Sequence, residues 1–377
     1  MPGLCTRNLL STLLLAAGFA GSVCADDSAV LSVDHYVIHA SSAPSIAGQM
    51  TEVYVRERAT PGTIARSENL GDRVVLFVHG AGTPAEVAFD VPYADYSWMA
   101  FLAGAGYDVF AMDMTGYGRS HRPPVMNDRC NLAAEQQSLL GMAKTCKAPY
   151  TRQTTTIASD WDDIDAVVDY LRKLRNVDRV SLVGWSLGGP RAGGYAARHP
   201  EKVNKLILLA PAYSRDRAEA APADLPATGD AMNVQSLGTF AANWERQLGC
   251  RDQYDAQAAA AVWSAMLASD PVGATWGPGV RRAPGTTVWG FGPQAVKKIT
   301  APTLLFAGVY DAQVPPARVA EMYEDMAVGE RVMVELGCAS HNAMWETDHL
   351  LLFRATLEWL QQGTVSGMTQ GRLRMGD

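Results

Sequence analysis

The stretch VSLVGWSLGGPRAGGYAARHP, residues 180–200, reads as a buried strand that breaks at Gly184, presents a lone serine and resumes at once as a helix. Gly184, Ser186 and Gly188 form a Gly-x-Ser-x-Gly pattern. A serine held on so sharp a strand-to-helix turn takes up a strained backbone conformation, which small residues two positions to either side accommodate. The structural alternative is a tight connection that happens to contain a serine. The surrounding chain has to decide between them.

Working outward, short apolar runs alternate with helical patterns. DRVVLFVHG (72–80), YDVFAMD (107–113), residues 180–183, KLILLA (205–210), PTLLFAG (302–308) and RVMVEL (331–336) are continuous or nearly continuous apolar segments. Such runs are expected of strands covered on both faces. Helical patterns lie between them, including SDWDDIDAVVDYLRKL, for which Ser159 is the expected cap, and TDHLLLFRATLEWLQQ (347–362). The alternation implies a mostly parallel sheet between layers of helix, an α/β class. VDHYVIHA (33–40) and QMTEVYVR (49–56) add two early strands. Two segments break the pattern: a polar insertion over 120–156, and a long Ala-rich stretch over 211–299 that carries Trp244, Trp263, Trp276 and Trp289 and is expected to form an irregular lid. The core is then 26–210 with 300–365, and the tail 366–377 is expected to fray.

Composition bounds the partners. The 377 residues carry a net charge of −7 with 19% charged side chains and no basic stripe, which argues against a nucleic-acid partner. Residues 1–25 read as a signal peptide: Arg7, an apolar stretch from Leu9 to Ala17, then Val23-Cys24-Ala25 as a cleavage box. The apolar stretch is short for a spanning helix, so no stable membrane anchor is expected. A retained anchor and a lipoprotein signal at Cys24 are the alternatives. The expected location is periplasmic or secreted. Export would leave Cys130, Cys146, Cys250 and Cys338 in an oxidising compartment. The first two flank one insertion and pair locally, which assigns Cys250 to Cys338; four free buried thiols are the alternative. No Cys-x-x-Cys or His-x-x-x-His spacing accompanies them, so a metal site is not expected.

A serine hydroxyl needs a base to take its proton, and the base needs an orienting acid. His341, in LGCASHNAMWE, follows the last strand of the core in a small-residue loop. His35, His39, His121, His199 and His349 lie on strands, on the insertion or in helices. Asp311 stands just past the strand 302–308; Asp216, where the lid departs, is its competitor. A tetrahedral intermediate also needs donors for its oxyanion. Leu187 can supply one N–H, and HGAGTP after the strand 74–78 another, from Ala81 or Gly82. His79 is expected to orient that loop. The Gly-rich loop lacks the spacing of a nucleotide site.

FVHGAG, DMTGYGRS (113–120), LVGWSLGG, APTLLFAGVYDAQVP and ASHNAMWE occur in the order found in the α/β-hydrolase superfamily, and the chain resembles that family over about 70–362. The resemblance implies Ser186 as nucleophile, Asp311 as acid, His341 as base, and Leu187 and Ala81 as oxyanion donors. Asp113, Gly116 and Gly118 match a turn of structural use. It further implies hydrolysis of a small-molecule carboxylic ester with an apolar or aromatic group, through an acyl-enzyme and without a cofactor. C–C, amide or peptide cleavage, perhydrolysis and a non-catalytic binding protein on the same scaffold are the rivals. The early strands, the insertion and the lid have no counterpart in the general pattern.

Overall fold

The computed structural model describes residues 29–66, 70–217, 219–220, 231–277 and 279–377. The expected signal peptide lies outside them, as does part of the expected lid. Nine strands make one sheet: β1 Leu31–Ala40, β2 Met50–Ala59, β3 Val74–Val78, β4 Asp108–Met112, β5 Val180–Trp185, β6 Val203–Leu209, β7 Thr303–Gly308, β8 Arg331–Leu336 and β9 Gln370–Met375. Their spatial order is β1-β2-β4-β3-β5-β6-β7-β8-β9. β1 runs antiparallel to β2, and β2 antiparallel to β4. All other pairs are parallel.

The central strands β3, β4, β5 and β7 are buried along their whole length, as the uninterrupted apolar runs required. The helices α1 Trp98–Gly104, α2 Ile157–Arg175, α3 Pro316–Asp325 and α4 His349–Gln362 contribute to the same hydrophobic core. In α2 the buried Ile164, Val167, Val168 and Leu171 form one face. Its cap is Thr156 rather than Ser159. The Thr156 hydroxyl accepts from the Ser159 N–H while the Ser159 hydroxyl accepts from the Thr156 N–H, a reciprocal box that moves the helix start three residues earlier.

Two expectations are corrected. The tail after residue 365 forms β9, paired in parallel with β8 along its length. Gly363 ends α4 with a φ of 69°, and the chain turns back through a Val365–Met368 bridge. In β9, Gly371, Leu373 and Met375 turn inward between exposed Gln370, Arg372 and Arg374, so a short alternating strand closes what would be an open edge. The segment 211–299 is not irregular over its described residues. Met232–Ser236 pairs antiparallel with Val280–Pro284, and two helices, Leu237–Glu245 and Ala256–Ser269, stand between them. The insertion 120–156 packs on this unit through a small second core, where Met126 and Leu132 meet Met232, Trp276 and Val280.

Both cysteine pairs lie at disulfide distance, with Cα atoms 5.3 Å apart for Cys130–Cys146 and 5.9 Å for Cys250–Cys338. The first closes the insertion around Gln137, whose amide bonds the carbonyls of Cys130, Leu132 and Cys146. The second spans 88 residues and ties the 211–299 segment to the loop after β8. In the loop-entropy view, bridging so long a loop stabilises by about 4–5 kcal/mol, against about 3 kcal/mol for the local pair. The Cys250→Ser/Cys338→Ser protein is therefore expected to unfold at clearly lower denaturant than Cys130→Ser/Cys146→Ser. Equal midpoints in urea titrations would contradict this ranking.

Candidate active site

Ser186 follows β5 directly and has a φ of 57°, in the left-handed region that non-glycine residues avoid. The turn that imposes it is fixed from both sides. The Ser186 N–H donates to Leu209 O of β6 at 2.9 Å, and its carbonyl accepts from Gly189 N at 2.8 Å and Ala212 N at 2.9 Å. Close approach explains the flanking glycines: a Cβ on Gly184 would lie 2.5 Å from Gly188 O, and one on Gly188 would lie 2.3 Å from Val78 O of β3.

Asp311 and His341 come from the loops after β7 and β8. The His341 ring nitrogen Nδ1 and Asp311 Oδ2 are 2.8 Å apart, and both residues are 4% exposed. Asp311 Oδ1 accepts from the N–H groups of Gln313 and Val314, each at 2.7 Å, which fixes the carboxylate before it meets the ring. Ser186 and His341 line one cavity of about 120 Å³ with Ala81, Trp185, Phe240 and Trp345. Among the described residues Ser186 Oγ makes no hydrogen bond to the ring, a contact that such sites often tighten only around substrate. Asp216 is exposed in a turn away from this cavity and has no part in it.

The loop after β3 completes the wall. The Gly82 N–H points to Tyr117 Oη at 3.4 Å, whereas the N–H groups of Ala81 and Leu187 have no acceptor among the described residues. Between Ala81 and Gly82, it is the Ala81 N–H that is free among the described residues. His79 is fully buried: Nδ1 donates to Gly80 O at 2.7 Å and Nε2 accepts from Met114 N at 3.0 Å. Burial and the neighbouring Arg191 charge hold its pKa well below the ordinary imidazole value, so it is a neutral brace rather than a base. The Asp113 carboxylate accepts from Ala85 N at 2.8 Å and Arg119 N at 3.0 Å, consistent with a structural turn.

Several contributors were not anticipated from sequence. Arg191 is fully buried, pairs with Asp160 at 2.7 Å, and donates to the carbonyls of His79 at 2.9 Å and Gly80 at 3.0 Å, tethering the Ala81 loop. Glu346 receives the Ser340 N–H at 2.8 Å and hydroxyl at 2.5 Å, Trp244 Nε1 at 2.9 Å and Gln253 Nε2 at 3.0 Å. It thereby binds the 211–299 segment to the loop bearing His341, while burial pushes its own carboxyl pKa up. Trp185 Nε1 donates to His341 O at 2.8 Å. Trp244, Trp263, Trp276 and Trp289 of the 211–299 segment are all at most 8% exposed and are absent from the cavity wall; Trp185, Phe240 and Trp345 supply its aromatic lining.

Buried parallel strands, the serine turn between β5 and β6, and the histidine loop after β8 can now be set against known proteins. A profile of the alpha/beta hydrolase fold matches residues 73–348. The chain belongs to the alpha/beta hydrolase family. It is similar to the 2-hydroxy-6-oxononadienedioate/2-hydroxy-6-oxononatrienedioate hydrolase of Paraburkholderia xenovorans, 25% identical over 178 residues that cover 45% of this chain and 47% of that one. The chain spans less than half the length of the curated relatives it matches. Among solved structures, an esterase from Exiguobacterium antarcticum is 15% identical and superposes with a TM-score of 0.53 over 85% of this chain and 98% of its own. A thermophilic esterase from Thermogutta terrifontis is 16% identical with a TM-score of 0.53, over 87% of this chain and 98% of its own. At those identities the likeness is one of fold. Gln136 and Leu139 of the insertion, with Gln235, Phe240 and Arg281 of the 211–299 segment, line the cavities beside Ser186 and Leu187.

Proposed function

We propose that this alpha/beta hydrolase cleaves a carboxylic ester through an acyl-enzyme formed on Ser186. One observation carries the reading: a serine held in the left-handed region at a strand end shares a cavity with a histidine whose other side meets a fixed carboxylate. Ser186 Oγ attacks the carbonyl carbon and its proton passes to His341 Nε2. The N–H groups of Leu187 and Ala81 receive the oxyanion. The C–O bond to the alcohol breaks and the alcohol leaves with the proton from His341. Water then attacks the acyl carbon, gives its proton to His341, and the acid departs as that proton returns to Ser186. Asp311 keeps the proton of the resting imidazole on Nδ1 and offsets the imidazolium charge.

In the same reading residues 1–25 direct export to the periplasm or beyond and are removed, and the 211–299 segment serves as a cap on the core 26–210 and 300–365. The Glu346 network and the Cys250–Cys338 pair support the cap assignment, since both join that segment to the His341 loop. A fluorophosphonate probe combined with p-nitrophenyl esters tests the chemistry: stoichiometric labelling at Ser186 with ester turnover is expected. A folded protein that resists the probe and turns over no ester would favour a binding role. Asp311→Asn is expected to lower kcat by about 10⁴-fold with little change in KM, because the amide stabilises the wrong imidazole tautomer. A loss under tenfold in steady-state kinetics would remove Asp311 from the proposed triad.

A further inference from the structure

Val280–Pro284 carries two adjacent arginines into the interior, and successive side chains of a strand point to opposite sides. Arg282 meets Asp270 in a bidentate pair, at 2.7 Å for Nη2 and 3.0–3.2 Å for Nε, and also donates to Met126 O. Arg281 faces the other way and is 8% exposed. It has no carboxylate within ion-pair distance among the described residues. Among the described residues its guanidinium donates only to neutral acceptors, Gly82 O and Gln235 Oε1, and its Nε has no partner. The charge of Asp270 is already engaged by Arg282 and Arg122. Burial lowers the Arg281 pKa to about 10, which still leaves the group protonated at neutral pH.

A buried cation without a counter-ion is costly, and an arriving anion would offset that cost. The surroundings say where. Arg281 lines the 120 Å³ cavity that holds Ser186 and His341, and it equally lines a neighbouring cavity of about 550 Å³. Ala81, Gln235 and Arg281 are common to both walls, so the guanidinium stands at the junction. The larger cavity also reaches Leu187, and Leu139, Val234 and Val288 make much of its wall apolar. A substrate with its carbonyl against Ala81 and Leu187 therefore has a route past a free cation into a space of mixed character.

We infer that Arg281 is a specificity-determining residue that binds a carboxylate of the substrate, so that the preferred esters carry a free carboxylate group in addition to the bond that is cleaved. This rests on the proposed ester hydrolysis for the identity of the reaction, and on the unpaired guanidinium for the anion. A carboxylate would pair with Arg281 by charge-assisted hydrogen bonds. Neutral esters would leave the cation uncompensated.

Two matched substrate pairs test it, one for each side of the bond. Mono-p-nitrophenyl glutarate against p-nitrophenyl valerate places the carboxylate on the acyl side. Para-butyryloxybenzoate against phenyl butyrate places it on the alcohol side. The wild-type kcat/KM is expected to favour the charged member of at least one pair by about tenfold or more, mostly through KM. In Arg281→Gln that ratio should fall by about tenfold, and Arg281→Lys should recover part of it. A purely structural tether to Gly82 would lower both members of a pair alike and leave the ratio where it was. Calorimetry on Ser186→Ala provides a readout free of turnover: monomethyl glutarate should bind at least about tenfold more tightly than dimethyl glutarate, and the difference should vanish when Arg281→Gln is added. Anion-selective binding without turnover of any ester would overturn the hydrolytic reading and uphold the inference. Turnover with no preference for the charged member of either pair, or a ratio indifferent to Arg281→Gln, would overturn the inference and leave the hydrolytic reading intact.

Discussion

Ser186→Ala is expected to lower kcat roughly 10⁵- to 10⁶-fold while leaving the thermal unfolding midpoint within a degree or two. The first number follows from removing the only atom proposed to bond to the acyl group; the residual rate would come from the oxyanion donors and substrate binding alone. The second follows from what holds the turn. Backbone bonds to Leu209, Gly189 and Ala212 place residue 186, and none involves its hydroxyl. Alanine keeps the φ of 57° and its cost of about 1–3 kcal/mol, so stability should hardly move. Ser186→Gly should be as inactive and at least as stable, since glycine enters the left-handed region freely. His341→Ala should cost about as much as Ser186→Ala, and the double variant hardly more, because serine and imidazole act as one unit. Kinetics and melting curves on the four proteins decide the matter. Additive losses would separate the two residues and dissolve the proposed mechanism.

Arg191→Met is expected to destabilise the protein by about 3–5 kcal/mol, a drop of roughly 10 °C in Tm, and to cost activity as well. The side chains of Arg191 and Asp160 are at most 1% exposed, so the substitution strands a carboxylate in the core. Burial already pushes the Asp160 carboxyl up to about 6 with Arg191 beside it. Without the guanidinium that pKa rises further, and a group whose folded pKa exceeds its unfolded value loses stability as pH rises between the two. The deficit should therefore shrink as the pH is lowered from about 8 towards 5. Adding Asp160→Leu should return much of the stability, because an apolar pair replaces a buried ion pair at little net cost. Activity should not return with it. The carbonyls of His79 and Gly80 would still lack their tether, and misplacing the proposed oxyanion donor Ala81 should cost about 10²- to 10³-fold. A double variant that regains full turnover would show that Arg191 serves the core and not the loop.

Much of the architecture was readable from local pattern. Apolar runs ending in glycine marked β3, β5 and β7, because a strand covered on both faces has to be apolar throughout. Ser186, Asp311 and His341 were legible for a related reason: each stands just past such a run, and a parallel sheet delivers those ends to one rim. What escaped was short or depended on partners. β9 has only three inward residues, one of them a glycine, and exists because β8 offers it an edge. The Ser159 cap was displaced by three residues because Thr156, which looked like loop, closes the reciprocal box. The strands of the 211–299 segment are held by each other and by the insertion's Met126 and Leu132, a pairing across more than a hundred residues that no window of sequence displays.

By itself, then, the order of residues determined the sheet up to β8, the strained serine and the loops that carry Asp311 and His341, since these follow from backbone sterics and from which runs must be dry. Only the tertiary structure decided the environment of each charge. Arg191, Arg281 and Arg282 are the same residue type, two of them adjacent, yet one braces a loop, one is neutralised by Asp270 and one faces the cavity without a counter-ion among the described residues. Coulomb energies in a low-dielectric interior depend on distances of a few ångströms between groups far apart in the chain, and those distances exist only once the chain has folded.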